Sequence, residues 1–526
     1  MSYRVVIPTA GIGSRLEKLT KHLNKSLVSI AHQPILSHII EQFPKTSEFV
    51  IALGYKGTLV KNFLEMAYPD RIFYFANVDL YEGKGSGLGH SLLCCEKYLQ
   101  QPFIFISCDT IVKESIPDPN HNWMGYTYLK NLSPYRTIEV SAEHVIEIQE
   151  KREGNSKDHQ AYIGLAGVHD YLNFWEGMRN GKKTAIDRGE VWGLTEVLKK
   201  NKIKSHQFTW FDAGNLKALA QTRKTYKKIN KLNILEKENE SIWFVGSRVI
   251  KFSTDSQFIK NRFRRANKLK GFVPEILNNK KNMYCYSKVQ GHVLSSVITL
   301  PLFNRLLEHC RKFWKKSKLK FNEKNIFKKN CQNFYYDKTI GRIKLFYKNF
   351  DKKDGTESIN DHKMPTLSSL LKRIDWQHLT NGVPVRFHGD LHFENILWQS
   401  KKKKFTFIDW RQDFAGNLQV GDIYYDLAKL LHGLIVSHDL ILKNNFSIEW
   451  NSNSISFVLR RKKVLIDCEK KFNKWCIENN YSFSKVRVLT ALIYLNIAAL
   501  HHYPYSLLLY ALGKFTLAEE LKNTCH

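Results

Sequence analysis

Four short β-rich runs, YRVVIPTA, EFVIALGY, RIFYFAN and PFIFISCD, alternate with stretches of helical spacing, SHIIEQF, TLVKNFLEMA and HSLLCCEKYLQ. A chain that leaves a buried strand, crosses as a helix and returns as a strand has few solutions. The crossover lies over one sheet face, so the strands run parallel and both faces become covered. The alternation predicts an α/β domain over residues 1–228, built on a doubly wound, mostly parallel, Rossmann-like sheet. The polar stretch TRKTYKKINKLNILEKENE that follows reads as a helical connector, with a linker at 229–240. From Ser241 the texture changes: IWFVGSRVIKF precedes a long, helical, aromatic-rich region. Residues 241–526 are expected to form a second, α+β domain, β-rich at about 241–290 and helical at about 291–526.

Charge narrows the chemistry without choosing a partner. Lys and Arg number 81 against 49 Asp and Glu, a net charge of +32. Such a field attracts phosphates on nucleotides, nucleic acid or a membrane surface. Lysine and asparagine are both abundant, as in an AT-rich genome, so part of the charge reflects coding bias. The runs Lys401–Lys404 and Arg460–Lys463 read as solvated faces, and no interleaved basic-aromatic signature of RNA binding stands out. Cys94 and Cys95 are adjacent, and Cys108, Cys285, Cys310, Cys331, Cys468, Cys476 and Cys525 are scattered without any CxxC. These are expected to be reduced thiols in a cytoplasmic protein. MSYRVVIPTAGIGSR lacks the apolar core of a signal peptide. VLTALIYLNIAAL (488–500) is short of the ~20 residues a membrane span needs, and is expected to be a buried helix.

The first strand runs into Ala10-Gly11-Ile12-Gly13-Ser14-Arg15-Leu16. Two glycines let backbone N–H groups approach a phosphate, although a glycine pair alone also suits a plain tight turn. Leu16 stands where a dinucleotide fingerprint has its third glycine, and no Gly-Lys-Ser/Thr follows as in a P-loop. The company is more specific: Arg15, then Thr20, then Lys25 in LNKSL, with QPIL at 33–36. Together these resemble the nucleotidyltransferases that make NDP-sugars and CDP-alcohols, whose signature is GxGxRL, then T, then PKxL. GSGLGHSLL (85–93), FISCD ending on Asp109, Glu150-Lys151, YIGLAGV (162–168) and Trp210-Phe211-Asp212-Ala213-Gly214 follow in the family's order. The resemblance covers roughly residues 3–225. It implies that Ala10, Gly11, Gly13, Ser14 and Gly87 bind the nucleotide. It further implies that Arg15 and Lys25 screen the phosphates and that Asp109 and Asp212 hold Mg²⁺. Asn24 replaces the usual proline before Lys25, and Thr110 follows Asp109 where some relatives carry a second carboxylate.

VRFHGDLHFENILW (385–398), followed by FTFIDW (405–410), is the strongest motif in the chain. Asp390, Asn395 five residues on, and a strand ending at Asp409 reproduce a phosphoryl-transfer loop. In such a loop one Asp accepts the hydroxyl proton while an Asn and a second Asp bind Mg²⁺. The tract is similar to the aminoglycoside phosphotransferase and choline/ethanolamine kinase superfamily, which implies a bilobed, protein-kinase-like domain. Lys251 in RVIKF then stands where a lysine should reach the ATP phosphates, although an isolated strand lysine also suits a solvent face. Its acidic partner is missing from 257–270, which leaves another acid such as Glu275 or a different arrangement. GDIYYDLAKLLHG (421–433) matches a family helix in which Asp422 and Asp426 cap and brace rather than react.

Both resemblances point at phosphate chemistry on one small molecule. The expectation is a bifunctional enzyme that phosphorylates an alcohol with ATP, then transfers a nucleotidyl group, CMP from CTP, to give a product such as CDP-choline or CDP-ethanolamine for surface-glycan decoration. A second expectation is a sugar kinase joined to a sugar-1-phosphate nucleotidyltransferase. A cationic head group would want aromatic walls, for which Tyr424, Tyr425 and Trp376 are candidates. The reading from another class, an inactive nucleic-acid-binding or scaffold protein, is disfavoured because all seven reactive residues are present: Arg15, Lys25, Asp109, Asp212, Asp390, Asn395 and Asp409.

Overall fold

The computed structural model describes residues 2–155, 157–227 and 238–523. Residues 229–237 of the expected linker, and Cys525, lie outside the described residues. The chain packs as two compact units, 1–256 with 277–286, and 257–276 with 287–526.

The first unit is built on a nine-stranded sheet. Its order is Phe73–Asn77, Glu48–Leu53, Arg4–Pro8, Phe103–Ile106, His159–Val168, Trp123–Thr127, Ile203–Gln207, His144–Gln149, Thr137–Ser141. The first four strands run parallel, as the alternation requires. His159–Val168 then runs antiparallel to both neighbours, so parallel pairing beyond it is limited to Ile203–Gln207 on Trp123–Thr127. Successive residues of the first strand serve opposite cores. Val5 and Ile7 pack with Val60, Phe63 and Leu64, whereas Val6 packs with Leu92 and Phe174. Helices therefore cover both faces, which is what a doubly wound sheet means physically.

The residues just after 229–240 pack with the first unit. The hairpin Glu240–Val245 and Arg248–Ser253 belongs to the first unit, and its alternate residues Trp243, Val245, Ile250 and Phe252 enter the same core as Val5 and Phe63. Trp243 lies edge-on to Phe63 at 5.3 Å, and its indole N–H donates to Ser29 Oγ at 3.0 Å. The Phe244 N–H donates to the His32 carbonyl at 2.9 Å, and Lys280 pairs with Glu65 at 2.8 Å. Each buried large side chain stabilises by about 1.5–3 kcal/mol, so the hairpin is a substantial part of this core. A fragment 1–228 is therefore expected to aggregate, whereas a fragment 1–287 stays soluble and melts cooperatively. Expression and thermal melts of both check this, and a soluble, cooperatively melting 1–228 would contradict it.

In the second unit, Ile396–Gln399 and Lys404–Phe407 form a hairpin flanked by His292–Val293. Lys401–Lys403 are exposed at its turn, as expected of a solvated run. A four-stranded sheet and long helices form the remainder, among them Ile423–Ile435, Lys463–Glu478, Phe483–Ala498 and Tyr505–Asn523. Residues 488–498 of the apolar run fall in the helix Phe483–Ala498, which is buried on nearly every side, with Leu489, Leu492 and Tyr494 at 1%, 2% and 0% exposure, whereas Leu500 lies past its end and is exposed. A helix apolar all round must be enclosed by other elements. Among the described residues no helix is long and apolar enough to cross a membrane.

Candidate active sites

In the first unit, the strand Arg4–Pro8 delivers Thr9, Ala10 and Gly11 to a turn in which Gly13 takes φ +71°. A Cβ on Gly13 would come within 2.9 Å of Lys25 Cβ, so glycine lets the two segments meet. A short, kinked 3-10 helix, Ser14–Thr20, follows. Asn24, in the proline position, is fully buried, and its amide donates to the Thr9 and Tyr55 carbonyls at 2.8 and 2.7 Å. Its Oδ1 accepts the Ser26 N–H at 2.9 Å, so it caps the turn that carries Lys25. The substitution thus holds Lys25 in place by hydrogen bonds where proline would do so by a fixed φ.

The two expected metal carboxylates meet through strand pairing. Trp210–Asp212 runs antiparallel to Thr110–Val112, with Asp212 opposite Thr110, which sets Asp212 beside Asp109. Lys25 Nζ pairs with Asp109 Oδ2, and Arg15 lies 4.0 Å from the same oxygen. Asp212 accepts the Gly214 N–H at 2.7 Å and the Tyr135 hydroxyl at 3.0 Å. A Cβ at Gly214 would stand 2.8 Å from Asp109 Oδ2 and 2.9 Å from Asp212 Oδ1. Glycine thus leaves open a cradle between two carboxylates, a space suited to a small hard cation such as Mg²⁺. Burial pushes Asp109 up, but Lys25 beside it outweighs this and holds the carboxyl below its ordinary range. Asp212 is raised, by burial first and by the negative charge of Asp109 in addition. A cation between them would relieve both effects.

Gly87 precedes the helix Leu88–Cys95, and a Cβ there would stand 2.5 Å from the Ile186 carbonyl. That glycine therefore serves close packing, alongside the nucleotide role expected of it. Further round the unit, Glu150 is clamped by Arg136 Nε at 2.9 Å and by Arg188 Nε at 2.5 Å. Lys151 is lowered by burial, then by Arg136 and Arg15. Arg136, Arg188 and the fully buried Glu190 were not singled out from the sequence, because only the fold sets them around Glu150-Lys151. Glu190 Oε2 is buried without a hydrogen-bond partner, and burial pushes its carboxyl up to about 7. A carboxyl raised in the folded state favours folding at low pH, and that contribution is lost as pH rises from the unfolded value through about 7. Glu190→Gln is expected to remove this loss. The variant should then gain on the native protein by on the order of 3 kcal/mol between pH 4 and pH 8. Thermal melts of both proteins across that range give the result.

In the second unit, the hairpin brings the expected triad together. Asn395 closes a short 3-10 turn before Ile396–Gln399, and its carbonyl accepts the Ile408 N–H at 2.9 Å. Its amide nitrogen donates to the Asp390 carbonyl at 2.9 Å, so Oδ1 is the atom that could face a cation. Asp409 takes φ +57°, a left-handed conformation that costs energy in a non-glycine residue and aims its carboxylate. The oxygen donors of Asn395 and Asp409 fit Mg²⁺. His388 is buried, with Nε2 on the Ile408 carbonyl at 2.9 Å and Nδ1 accepting the Asp390 N–H at 3.2 Å. Burial pushes it down to about 3, so it is a neutral strut between the loop and the Asp409 strand. Asp426 accepts the His388 and Gly389 N–H groups at 2.8 and 2.7 Å, and Asp422 caps its helix through the Tyr424 N–H. Both brace, as expected.

The contacts of three side chains were not visible in the sequence. Lys429 Nζ pairs with Asp390 Oδ1 at 2.8 Å. Burial would raise the Asp390 carboxyl, but Lys429 and then His392 hold it well below its ordinary range. Arg262 pairs with Asp409 at 3.1 Å, from the helix Ser256–Lys268 where an acidic partner for Lys251 was looked for. Arg265, on the same helix, is buried and donates to the carbonyls of Phe387 and Arg411. Lys251 itself is buried in Arg248–Ser253 of the first unit, and Glu275 is exposed.

Residues 356–447, which include this loop and its hairpin, match the family described as "Phosphotransferase enzyme family". The chain also matches the bifunctional protein GlmU of Methanococcus aeolicus, 24% identical over 262 residues, 48% of this chain and 61% of that protein. The chain is thus similar to nucleotidyltransferases in one part and matches a phosphotransferase family in another. It spans about three fifths of the length of that curated relative. Among solved structures, UDP-glucose pyrophosphorylase complexed with UDP-glucose is similar at 17% identity and a TM-score of 0.37, covering 44% of this chain and all of that one. The CTP:phosphocholine cytidylyltransferase of Streptococcus pneumoniae is similar at 15% identity and a TM-score of 0.36, covering 43% of this chain and 99% of that one.

Proposed function

We propose that the phosphotransferase domain phosphorylates a small alcohol with ATP, and that the nucleotidyltransferase domain converts the resulting phosphate ester into an NDP-activated product, releasing pyrophosphate. The observation that carries this reading is that each unit gathers a group of polar side chains suited to phosphate chemistry: Asp390 with Asn395 and Asp409 in one, and Lys25, Arg15, Asp109 and Asp212 in the other.

In the first step the substrate hydroxyl donates a hydrogen bond to Asp390, its oxygen forms a bond to the γ-phosphorus, and ADP leaves. Asp390, held ionised by Lys429, is a weak base. It therefore orients the hydroxyl first and takes the proton late, as the O–P bond forms. In the second step an oxygen of the phosphate ester attacks the α-phosphorus of the nucleoside triphosphate, and pyrophosphate departs. Lys25 and Arg15 screen the converging negative charges, with Ala10, Gly11, Gly13 and Ser14 lining the phosphate turn. Mg²⁺, held by Asn395 with Asp409 and by Asp109 with Asp212, would supply charge neutralisation of the phosphates in both steps.

For the acceptor, choline or ethanolamine with CTP is the less favoured reading. A quaternary ammonium needs aromatic faces clear of other cations. Lys338 Nζ already lies 4.4 Å from the Phe334 ring centre and 5.8 Å from that of Tyr425, and Arg411 lies 4.7 Å from that of Phe334. Tyr424 faces Lys485 at 4.3 Å, and Trp376 is taken up by Tyr336 at 4.8 Å. These contacts favour a sugar-like or other non-cationic alcohol, with the product a precursor for surface-glycan decoration made in the cytoplasm. Incubation with ATP, each of the four nucleoside triphosphates and a panel of alcohols and sugars, read by mass spectrometry, tests the proposal. An NDP-linked product with one ADP per pyrophosphate supports it, and pyrophosphate release without any phosphorylated alcohol counts against it.

A further inference from the structure

Asp390 sits between two different environments. Its Oδ2 faces Asn395 Nδ2 at 3.4 Å and His392 Nε2 at 3.7 Å, the side of the expected metal ligand. Its Oδ1 faces Lys429 at 2.8 Å. On the Lys429 side further cations gather. Lys338, at the start of the helix Lys338–Phe350, lies over the Phe334 and Tyr425 rings, and Arg411 lies over the Phe334 ring. Phe334 is stacked on Phe414 at 4.5 Å and stands edge-on to Tyr425 at 4.7 Å, so the rings form a fixed wall beneath the cations. Neither Lys338 nor Arg411 has a carboxylate partner among the described residues, and Arg411 Nε is buried without a hydrogen bond. The Asp390 carboxylate, already paired with Lys429, also attracts Lys338, while Arg411 and Lys429 repel Lys338.

Buried and half-buried cations that outnumber their counter-ions repel one another and lose hydration, so the arrangement is costly unless an anion enters it. Burial, and then the charges of Arg411, Lys429 and Arg342, push the Lys338 ammonium well below its ordinary range, which fits a group awaiting an anion. ATP and its metal would approach on the Asn395 side, whereas the hydroxyl to be phosphorylated must reach the Asp390 carboxylate. The uncompensated charge therefore lies where the acceptor binds.

We propose that the alcohol phosphorylated at Asp390 carries an anionic group of its own, a carboxylate or a phosphate, seated among Lys338, Arg411 and Lys429. This rests on the kinase reading above and specifies its acceptor. The first unit, taken by itself, has the same bias. Glu150 is neutralised by two arginines, and Lys151 and Arg15 add positive charge, which suits an acceptor carrying more negative charge than one phosphate ester. Both domains would then be matched to one molecule.

The test measures ADP formation by the full chain with sets of alcohols differing in one charge. Glycerol and glucose are neutral, glycerate and gluconate carry a carboxylate, glycerol phosphate and glucose 6-phosphate carry a phosphate, and choline and ethanolamine are cationic. The anionic members are expected to exceed their neutral counterparts in kcat/KM by about 10–100-fold, the scale of one charge-assisted hydrogen bond. Comparing the carboxylate and phosphate sets identifies which anion is used. Lys338→Met should raise KM for the preferred anionic acceptor by a similar factor while KM for ATP stays unchanged, and Lys338→Arg should recover part of the loss. Preference for neutral or cationic alcohols, with ADP still formed, overturns the anionic acceptor and leaves the kinase reading standing. A Lys338→Met effect on KM for ATP alone overturns it as well. Absence of ADP formation with every acceptor overturns both.

Discussion

Asp390→Asn is expected to reduce ADP formation by about 10²–10⁴-fold, the range that a positioned proton acceptor contributes. The substitution keeps the shape of the side chain and removes the negative charge that Lys429 faces at 2.8 Å. Nucleotidyl transfer to a phosphate ester supplied from outside should continue at the native rate, because Lys25, Asp109 and Asp212 lie in the other compact unit. A thermal melt run beside the assay separates loss of chemistry from loss of fold, since a buried lysine left without its partner is destabilising. Equal loss of both activities by a folded variant would overturn the two-site account.

Asp109→Ala is expected to do the reverse, with nucleotidyl transfer falling by at least about 100-fold, since the proposed metal ligand and the partner of Lys25 are lost together. Phosphorylated alcohol should then accumulate while ADP formation is unchanged. Continued NDP-product synthesis at the native rate would contradict the place given to Asp109 between Lys25, Arg15 and Asp212.

Where short-range spacing decides the geometry, the sequence was informative. Asp390 and Asn395 sit on one loop and Asp409 just past the hairpin that follows it, so their separations along the chain nearly determine their separations in space. The same holds for Gly13, Arg15 and Lys25 around a single turn. The approach of Asp212 to Asp109 came only through resemblance, because no local pattern joins residues on strands so far apart in the chain. Strand direction was the weaker part. A buried strand shows the same apolar run whether its neighbours are parallel or antiparallel, so the reversal at His159–Val168 left no mark in composition.

The hairpin Glu240–Val245 and Arg248–Ser253 shows a related limit. Its alternation states that one face is buried but not against which helices, and only the packing of Trp243 on Phe63 assigns it to the first unit. The charges around Asp390 were hidden for another reason. In a chain so rich in lysine, Lys338 and Lys429 look like any solvated residue until the fold closes them over aromatic rings and a carboxylate. The acid-free segment 257–270 did carry a signal: the missing glutamate is matched by Arg262 on Asp409, a reversal of the expected charge pattern.

The most direct test of the two-step account is a time course with one alcohol, ATP and the preferred nucleoside triphosphate, followed by ³¹P NMR on the native chain and on Asp390→Asn. The native chain should show the phosphate ester rising first and then being consumed as pyrophosphate and the NDP-linked product appear together. Asp390→Asn should show neither, until the phosphate ester is added, when product forms at the native rate. Formation of the NDP-linked product by Asp390→Asn from the free alcohol, or a phosphate ester that accumulates in the native reaction and is never consumed, would contradict the account.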